Sequence, residues 1–318
     1  MNVMTELKNF RAPLNTPTAI DSKYRQVNIQ YDAETRSVWT YLTPTGTTCF
    51  NLSLLKELRV NDREFESNSG QALCGGELWP VDYFVAASGI EHIFNYGGDL
   101  ALFVQLIKSR DRNALLYYAT LCVDCVYARL TNYKTAAITI ALVQGDALGG
   151  GFETVLASNV IIAEETALMG FPEILFNLFP GMGAYSLLAR RIGAKKAEEI
   201  IISGQTYDAR TLKEMGLVDI VVAKGEGERA VYEYMRQNKR RLNGMQAVYA
   251  CRHHNNPITY QELMRITEVW VDAALRINDR DLRMMGRIVQ SQMRRQRDLR
   301  KNGFSMDSGM DCFLAAES

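Results

Sequence analysis

The stretch AAITIALVQGDALGGGFETVLASNVIIAE, residues 136–164, carries the pattern that decides the fold. Its apolar, β-branched beginning, Ala136–Val143, predicts a buried strand, and the glycines at 149–151 follow that strand as a turn. A helix is predicted to begin near Phe152, and NVIIAE predicts a further strand directly after it. Strand, glycine turn and helix in succession are typical of an α/β fold with parallel strands and crossover helices.

The upstream half of the chain shows the same arrangement. VNIQY and VWTYL, between Tyr24 and Leu42, predict a β-hairpin. VDYFVAAS, which ends at Ser88, predicts another buried strand that leads to a second glycine turn at Gly97 and Gly98, and two helices are predicted after it. Because ligands bind in the loops at strand ends of such folds, the two glycine turns mark the expected site.

The downstream part is predicted to be almost purely helical. We place an α/β core over residues 1–223 and a C-terminal helical region over 224–318. Two long amphipathic helices are predicted there, ITYQELMRITEVWVDAALRIN and DRDLRMMGRIVQSQMRRQRDLR. The last segment, NGFSMDSGMDCFLAAES, is expected to be a loose tail.

Composition limits the class of partner. The chain has 318 residues, 47% of them hydrophobic, and its 36 basic residues balance 36 acidic ones. A neutral chain gives no long-range attraction to nucleic acid or to a membrane surface. No apolar run reaches the roughly 18–20 residues of a membrane span, and the first residues lack the apolar core of a signal peptide, so the cytoplasm is the expected location. The six cysteines, including the Cys122–Cys125 pair in a helical run, are expected to be structural thiols.

The glycine turns can stabilise a negatively charged oxygen. Three consecutive glycines at 149–151 expose backbone N–H groups, and the helix that begins there adds its dipole. A second amide from the Gly97–Gly98 turn would complete an oxyanion hole. A tight turn required only for packing is the alternative reading of each glycine cluster. Asp99, next to the second turn, is expected to belong to the first turn of its helix.

Two glutamates near these turns are candidates for proton transfer. Glu153 follows the three glycines among apolar neighbours, and Glu173 interrupts the apolar run MGFPEILFNLFPGMG. Paired carboxylates in a dry cleft can act as acid and base. For Glu173, capping of a helix after Pro172 is the alternative. Nucleophile-elbow, Walker, dinucleotide-binding and zinc-protease motifs are absent from the sequence.

Five segments resemble the crotonase (enoyl-CoA hydratase/isomerase) superfamily in order and spacing: FNYGGDL, VQGDALGGGFE, IIAEETALMGFPEI, LFPGMGAYSLLARRIG and SGQTYDARTLKEMGLVD. The resemblance implies a spiral of repeated β-β-α units with a C-terminal helical appendage. It implies that Gly98 and Gly150 supply the oxyanion amides and that Glu153 and Glu173 are catalytic. It also implies a homo-oligomer, expected to be a trimer.

Within this superfamily the chain is most similar to the diffusible signal factor synthases, on VQGDALGGGFE, MGFPEILFNLFPGMGAYS and MRITEVWVD. That likeness implies dehydration of a medium-chain 3-hydroxyacyl group on acyl carrier protein and hydrolysis of the resulting cis-2-enoyl thioester. Glu173 would be the base at C2 and Glu153 the acid, with neither a metal nor another cofactor required. Met182, Trp270 and Ile288 are candidates for the acyl-chain pocket, with core packing as the alternative.

Two other functions remain open on the sequence. An enoyl-CoA hydratase or isomerase of fatty-acid catabolism would use the same amides and glutamates on a CoA ester. A mainly regulatory protein that docks on a signal sensor is the second, since relatives of this kind bind their cognate sensors. A basic stretch near the end of the chain could meet the phosphopantetheine arm or the acidic carrier protein, or could be a solvated helix face; it consists of Arg294, Arg295, Arg297, Arg300 and Lys301.

Overall fold

The computed structural model describes residues 18–19 and 24–304, with side chains from 24 to 299. The strands are β1 Thr18–Ala19, β2 Val27–Asp32, β3 Ser37–Leu42, β4 Ala72–Cys74, β5 Glu77–Trp79, β6 Tyr83–Ser88, β7 Ile93–Asn95, β8 Ile138–Val143, β9 Asp146–Leu148, β10 Val160–Glu164, β11 Leu168–Gly170, β12 Thr206–Asp208 and β13 Ile220–Val222. The helices are α1 Leu52–Ser67, α2 Leu100–Lys108, α3 Arg112–Leu130, α4 Gly150–Leu156, α5 Ala184–Ile192, α6 Ala194–Ser203, α7 Ala209–Glu214, α8 Gly227–Asn238, α9 Leu242–Asn255, α10 Tyr260–Ala274 and α11 Asp279–Phe304.

A large sheet has the strand order β1-β2-β3-β6-β8-β10-β13. The β2–β3 pair is the antiparallel hairpin predicted from the sequence. From β3 through β6, β8 and β10 to β13, each strand pairs with the next in parallel. Side chains alternate between its two faces. Val38 and Phe84 pack in the main core, whereas Trp39 and Val85 pack against α8 on the other side.

A second, smaller sheet has the order β12-β11-β9-β7. Each repeat of the chain places one strand in the large sheet, the next strand in the small sheet, and then a helix. The three successive repeats begin with β6-β7-α2, β8-β9-α4 and β10-β11-α5. This arrangement confirms the predicted α/β fold of repeated β-β-α units. It also brings the ends of β7 and β9, with their glycine turns, side by side.

From Gly227 onward every described regular element is helical. These helices pack on the preceding part: Val231 and Met235 of α8 cover the large sheet, while α10 packs on α3 and α11 on α2. Because these helices pack closely on the preceding part, their contacts do not mark a domain boundary, and the boundary at 223 stays a prediction. Helix α11 runs through Phe304, three residues into the predicted tail, and residues 305–318 lie outside the described part. No described helix combines the length and apolarity required to cross a bilayer.

Candidate functional site: two amides and two buried glutamates

The Gly98 and Gly150 amides lie next to each other where the two glycine turns meet. A Cβ built on Gly150 would lie 3.6 Å from the Gly98 nitrogen. Gly97 makes this approach possible, because a Cβ there would lie 2.7 Å from the Gly150 nitrogen and 2.7 Å from the Leu148 oxygen. Its φ of +87° is also in the region that favours glycine. The structure therefore brings together the two turns that the sequence singled out.

Both amides are free to bind a ligand. Within residues 24–304, neither the Gly98 N–H nor the Gly150 N–H donates a hydrogen bond. The preceding amides are engaged: Gly97 donates to Asn95 Oδ1 over 2.7 Å, and Gly149 donates to the Gly170 oxygen over 2.9 Å. Two adjacent free donors at the wall of a cavity can hold an oxygen that gains negative charge.

Glu153 lies in the first turn of α4 and is 1% exposed. Its Oε1 accepts hydrogen bonds from the Met182 and Ala184 amides, each over 2.9 Å. These amides belong to the loop before α5 and to the first residue of that helix, where N–H groups have no intrahelical acceptor. Burial raises the pKa of Glu153 to about 7, although the backbone hydrogen bonds act to lower it. The carboxyl group is thus held in one orientation and titrates near neutral pH.

Glu173 lies in a short 3-10 helix, Pro172–Phe176. Phe171 is the N-cap residue of this helix, and Glu173 lies in its first turn, so the helix-terminal alternative stays open. The carboxyl group also approaches the first glycine turn, where a Cβ on Gly149 would lie 2.3 Å from Oε1. The residue is half-buried, but Oε2 is enclosed and has no hydrogen-bond partner. Burial and the neighbouring Glu153 raise the pKa of Glu173 to about 8.

One cavity unites all the candidate residues. It measures about 750 Å³ including its open mouth, and its wall contains Gly98, Gly150, both glutamates, and the predicted pocket residues Met182, Trp270 and Ile288. Most of the remaining wall is apolar, with Phe50, Leu55, Phe103, Cys125, Val126, Phe176 and Leu178. Such a lining suits an acyl chain.

Trp270 also serves the packing of the site. It is 2% exposed, and a Cβ on Gly181 would lie 2.3 Å from its ring. Thr267, one turn earlier on α10, donates to the Gly181 oxygen over 3.0 Å. Helix α10 therefore supports the loop whose amides hold Glu153. Trp270 both lines the cavity and packs against this loop.

Two cysteines in the cavity wall were not assigned to the site from the sequence. Cys122 and Cys125 lie on α3 as free thiols and line the cavity. Burial raises the pKa of both thiols, which keeps them neutral. The sequence signal that could have placed them together is their i, i+3 spacing, which puts both thiols on one face of a helix.

Helix α11 closes one side of the cavity with Ile288 and Gln292. Arg295 makes an ion pair with the buried Asp146 over 2.8 Å, and Gln296 donates to the Gly46 oxygen over 2.9 Å. We call these two contacts the α11 latch. The α11 latch could not be predicted from local sequence patterns, because Arg295 and Asp146 lie in distant segments.

Asp99 caps α2, because its Oδ1 accepts from the Leu102 amide over 3.0 Å, which confirms the helical role predicted for it. Among the described residues, no three His, Cys, Asp or Glu side chains are grouped to hold a metal ion.

Comparison with known proteins relates the chain to enoyl-CoA hydratases. The sequence model of the enoyl-CoA hydratase/isomerase family matches residues 84–269. A probable enoyl-CoA hydratase of Mycobacterium bovis is 47% identical over 92 residues, which are 28% of this chain and 36% of the relative. An enoyl-CoA hydratase/isomerase described as putative, YngF of Bacillus subtilis, is 45% identical over 84 residues, 26% of this chain and 32% of the relative. The matched segments thus span about a third of these curated relatives.

Solved structures share the fold. The enoyl-CoA hydratase of Bacillus halodurans superposes with a TM-score of 0.70 at 17% identity, over 82% of this chain and 98% of that one. DspI of Pseudomonas aeruginosa superposes with a TM-score of 0.61 at 21% identity, over 74% of this chain and 91% of that one. The family match covers more than half of the chain and includes both glycine turns and both glutamates. The chain belongs to the enoyl-CoA hydratase/isomerase family, the crotonase superfamily.

Proposed function

We propose that this protein is a diffusible signal factor synthase. It would dehydrate a medium-chain 3-hydroxyacyl group carried by acyl carrier protein and then hydrolyse the cis-2-enoyl thioester to the free acid. One observation carries the reaction class: two buried carboxyl groups and two free amides share one apolar cavity. The narrower assignment is supported by the sequence likeness to those synthases in three segments, among them the run that contains Glu173.

The dehydration step uses the amides and both carboxyl groups. An ionised glutamate removes the C2 proton, and the charge that moves to the thioester oxygen is stabilised by the Gly98 and Gly150 amides, typically by about 3–4 kcal/mol per donor. The C2–C3 double bond forms as the C3–O bond breaks. The protonated glutamate gives its proton to the departing hydroxyl, and water leaves. The base then holds the proton and the acid is ionised.

Hydrolysis can follow in the same cavity. A water molecule attacks C1 while the ionised glutamate takes its proton, and the amides stabilise the tetrahedral oxyanion. The C1–S bond breaks, and the protonated glutamate supplies the proton to the leaving thiol. The products are a free 2-enoic acid and the carrier thiol. The glutamate pair returns to its starting protonation.

The hydrogen bonds of the two carboxyl groups indicate which glutamate is ionised before substrate binds. The Met182 and Ala184 amides favour a negative charge on Glu153, whereas Glu173 Oε2 has no donor. The resting charge is therefore favoured on Glu153 and the proton on Glu173. The assignment implied by the superfamily, with Glu173 as the C2 base, requires the proton to move to Glu153 when substrate binds.

The alternative is reversible hydration of a 2-enoyl-CoA ester, which the names of the curated relatives favour. Incubation with a medium-chain 3-hydroxyacyl carrier protein, followed by mass analysis of the extracted lipids, separates the two functions. Release of free 2-enoic acid supports the synthase. If CoA esters are reversibly hydrated and no free acid appears, the proposal is wrong.

Substitution of the glutamates tests the site itself. Glu153→Gln and Glu173→Gln should each abolish product while the far-UV circular dichroism and Tm show a folded protein. Glu164→Gln is the matched control, because Glu164 is also buried but accepts hydrogen bonds from Gln144 and Gly227 outside the cavity. Full activity of both cavity variants would refute their catalytic roles.

A further inference from the structure

The outer face of α11 carries a row of arginines, Arg280, Arg283, Arg287, Arg294 and Arg297, which we call the arginine stripe. Successive members are three, four, seven and three residues apart, so at 3.6 residues per turn they lie on one side of the helix. All five are exposed. Although the whole chain is neutral, this face of α11 therefore carries an excess of positive charge.

Two exposed aspartates, Asp279 and Asp298, lie on the same side of α11, but the stripe arginines pair with neither of them. None of its five side chains makes an ion pair with a carboxylate of residues 24–299. Several arginines elsewhere do make ion pairs, for example Arg36 with Asp82 and Arg190 with Glu262. Arginine also holds carboxylates in a fixed bidentate geometry that lysine cannot offer. An acidic partner would find these donors available.

The opposite face of the same helix belongs to the cavity. Leu282 and Met285 are buried against the core, while Ile288 and Gln292 line the cavity wall. Gln292 is partly exposed, as are Gly98 and Leu100 across the cavity, so the cavity reaches the surface beside α11. The stripe lies about one helix diameter, ~10 Å, from this lining.

We propose that the arginine stripe is the docking surface for the acyl carrier protein that presents the substrate. The proposal rests on the function proposed above, because a carrier protein is an acidic protein that delivers its acyl group on a tethered arm. Docking beside the mouth keeps the tethered thioester at a high effective concentration at the cavity. Complementary charge on the two surfaces also accelerates their encounter.

An anionic membrane is the other partner with the required charge. A helix that lies in a membrane surface turns a large apolar face to the lipid. The apolar face of α11 instead packs against the hydrophobic core of the protein, through Leu282, Met285 and Ile288. The geometry therefore favours an acidic protein surface.

Charge reversal tests the docking surface. Arg283→Glu/Arg287→Glu in the full chain should raise the KM for a 3-hydroxyacyl carrier protein by about tenfold or more, with kcat unchanged. The KM for the same acyl group on pantetheine, which brings no protein surface, should not change. Added salt should weaken wild-type binding and narrow the difference between wild type and variant. The matched control is Lys239→Glu/Arg240→Glu, an equal charge change at two exposed residues outside the cavity wall.

Binding without turnover separates docking from the proposed function. Calorimetric titration with holo carrier protein, which bears no acyl group, should show binding to wild type and control and at least a tenfold weaker Kd for the stripe variant. If binding follows this pattern but no enoic acid is made, the docking surface stands and the proposed function fails. The docking proposal is refuted by equal binding of all three proteins. It is also refuted by equal KM increases on pantetheine, or by loss of binding only to phosphatidylglycerol vesicles.

Discussion

Glu153 and Glu173 have the same side chain in two different electrostatic settings. Two backbone amides from the loop before α5 stabilise the charged form of Glu153, whereas Glu173 has its Oε2 enclosed without a donor and lies beside another carboxyl group. The pair therefore loses its two protons in separate steps, and over the interval between them it holds one proton and one negative charge. This mixed state provides an acid and a base at the same time.

The first prediction concerns the pH dependence of activity. Burial raises the pKa of Glu153 to about 7, and burial with the repulsion of Glu153 raises the pKa of Glu173 to about 8. Below both values no base is present, and above both no acid is present. We expect kcat/KM for a 3-hydroxyacyl thioester to rise as pH passes the lower pKa and to fall above the higher pKa. A profile that is flat between pH 5 and 9 would contradict the paired mechanism.

The second prediction concerns Gly149. Its φ of +52° and its contact with Glu173 Oε1 both oppose a side chain. Gly149→Ala should lower the free energy of unfolding by about 1–3 kcal/mol and displace the Glu173 carboxyl group, with a loss of up to about 100-fold in kcat. Gly75→Ala is the control, because Gly75 has a φ of +62° but no atom within 4 Å of its Cβ position. The control should lose stability and keep its kcat, so an equal kcat loss in both variants would refute the contact argument.

At the scale of elements, the sequence predicts what local patterns determine. The β2–β3 hairpin, the buried strands β6 and β8, and the helices after each glycine turn follow from periodicity and turn residues. Helix α4 begins two residues before the predicted position, because the glycines themselves adopt its first turn. Local patterns do not predict contacts between distant segments. The Met182 and Ala184 amides that hold Glu153, and the latch of α11 on Asp146, depend on tertiary packing.

The third prediction concerns this latch. Arg295→Gln leaves the buried Asp146 carboxylate without its cation, while Arg295 itself is half exposed. We expect a loss of about 1–2 kcal/mol in the free energy of unfolding. Amide hydrogen exchange should accelerate along α11, and acyl thioesters should bind more weakly because Ile288 and Gln292 are less firmly held. Arg294→Gln is the neighbouring control, exposed and without a described carboxylate partner, and the same acceleration there would exclude a specific role for the Asp146 pair.

At the scale of the whole molecule, the family membership and the α/β fold follow from sequence and structure together, whereas the assembly stays a prediction. A three-chain homo-oligomer, a cognate sensor partner and a cytoplasmic location are expectations from the sequence. Light scattering of the purified protein measures the first of them directly.

The fourth prediction links the site to the stability of the whole fold. Glu173 has a higher pKa in the folded protein than in an unfolded chain, so unfolding releases its proton at intermediate pH. The contribution of this group to stability is largest below its unfolded pKa and falls as pH rises to about 8. Glu173→Gln does not titrate. Its Tm relative to wild type should therefore increase from pH 5 to pH 8, and a constant difference would show that the carboxyl group is not buried as described.

The closeness of the two glycine turns has a consequence for mutational scanning. The groups that would hold the substrate oxygen are main-chain amides, which every amino acid except proline possesses. Within the two glycine turns, a scan of all substitutions should therefore find intolerant positions at Gly97 and Gly151, which donate nothing to the oxygen. A Cβ on Gly97 would lie 2.7 Å from the Gly150 nitrogen, and one on Gly151 would lie 2.2 Å from the Asn95 oxygen. Within these turns, the sensitive positions would mark the space between the two loops, whereas at Glu153 and Glu173 they would mark the carboxyl groups themselves.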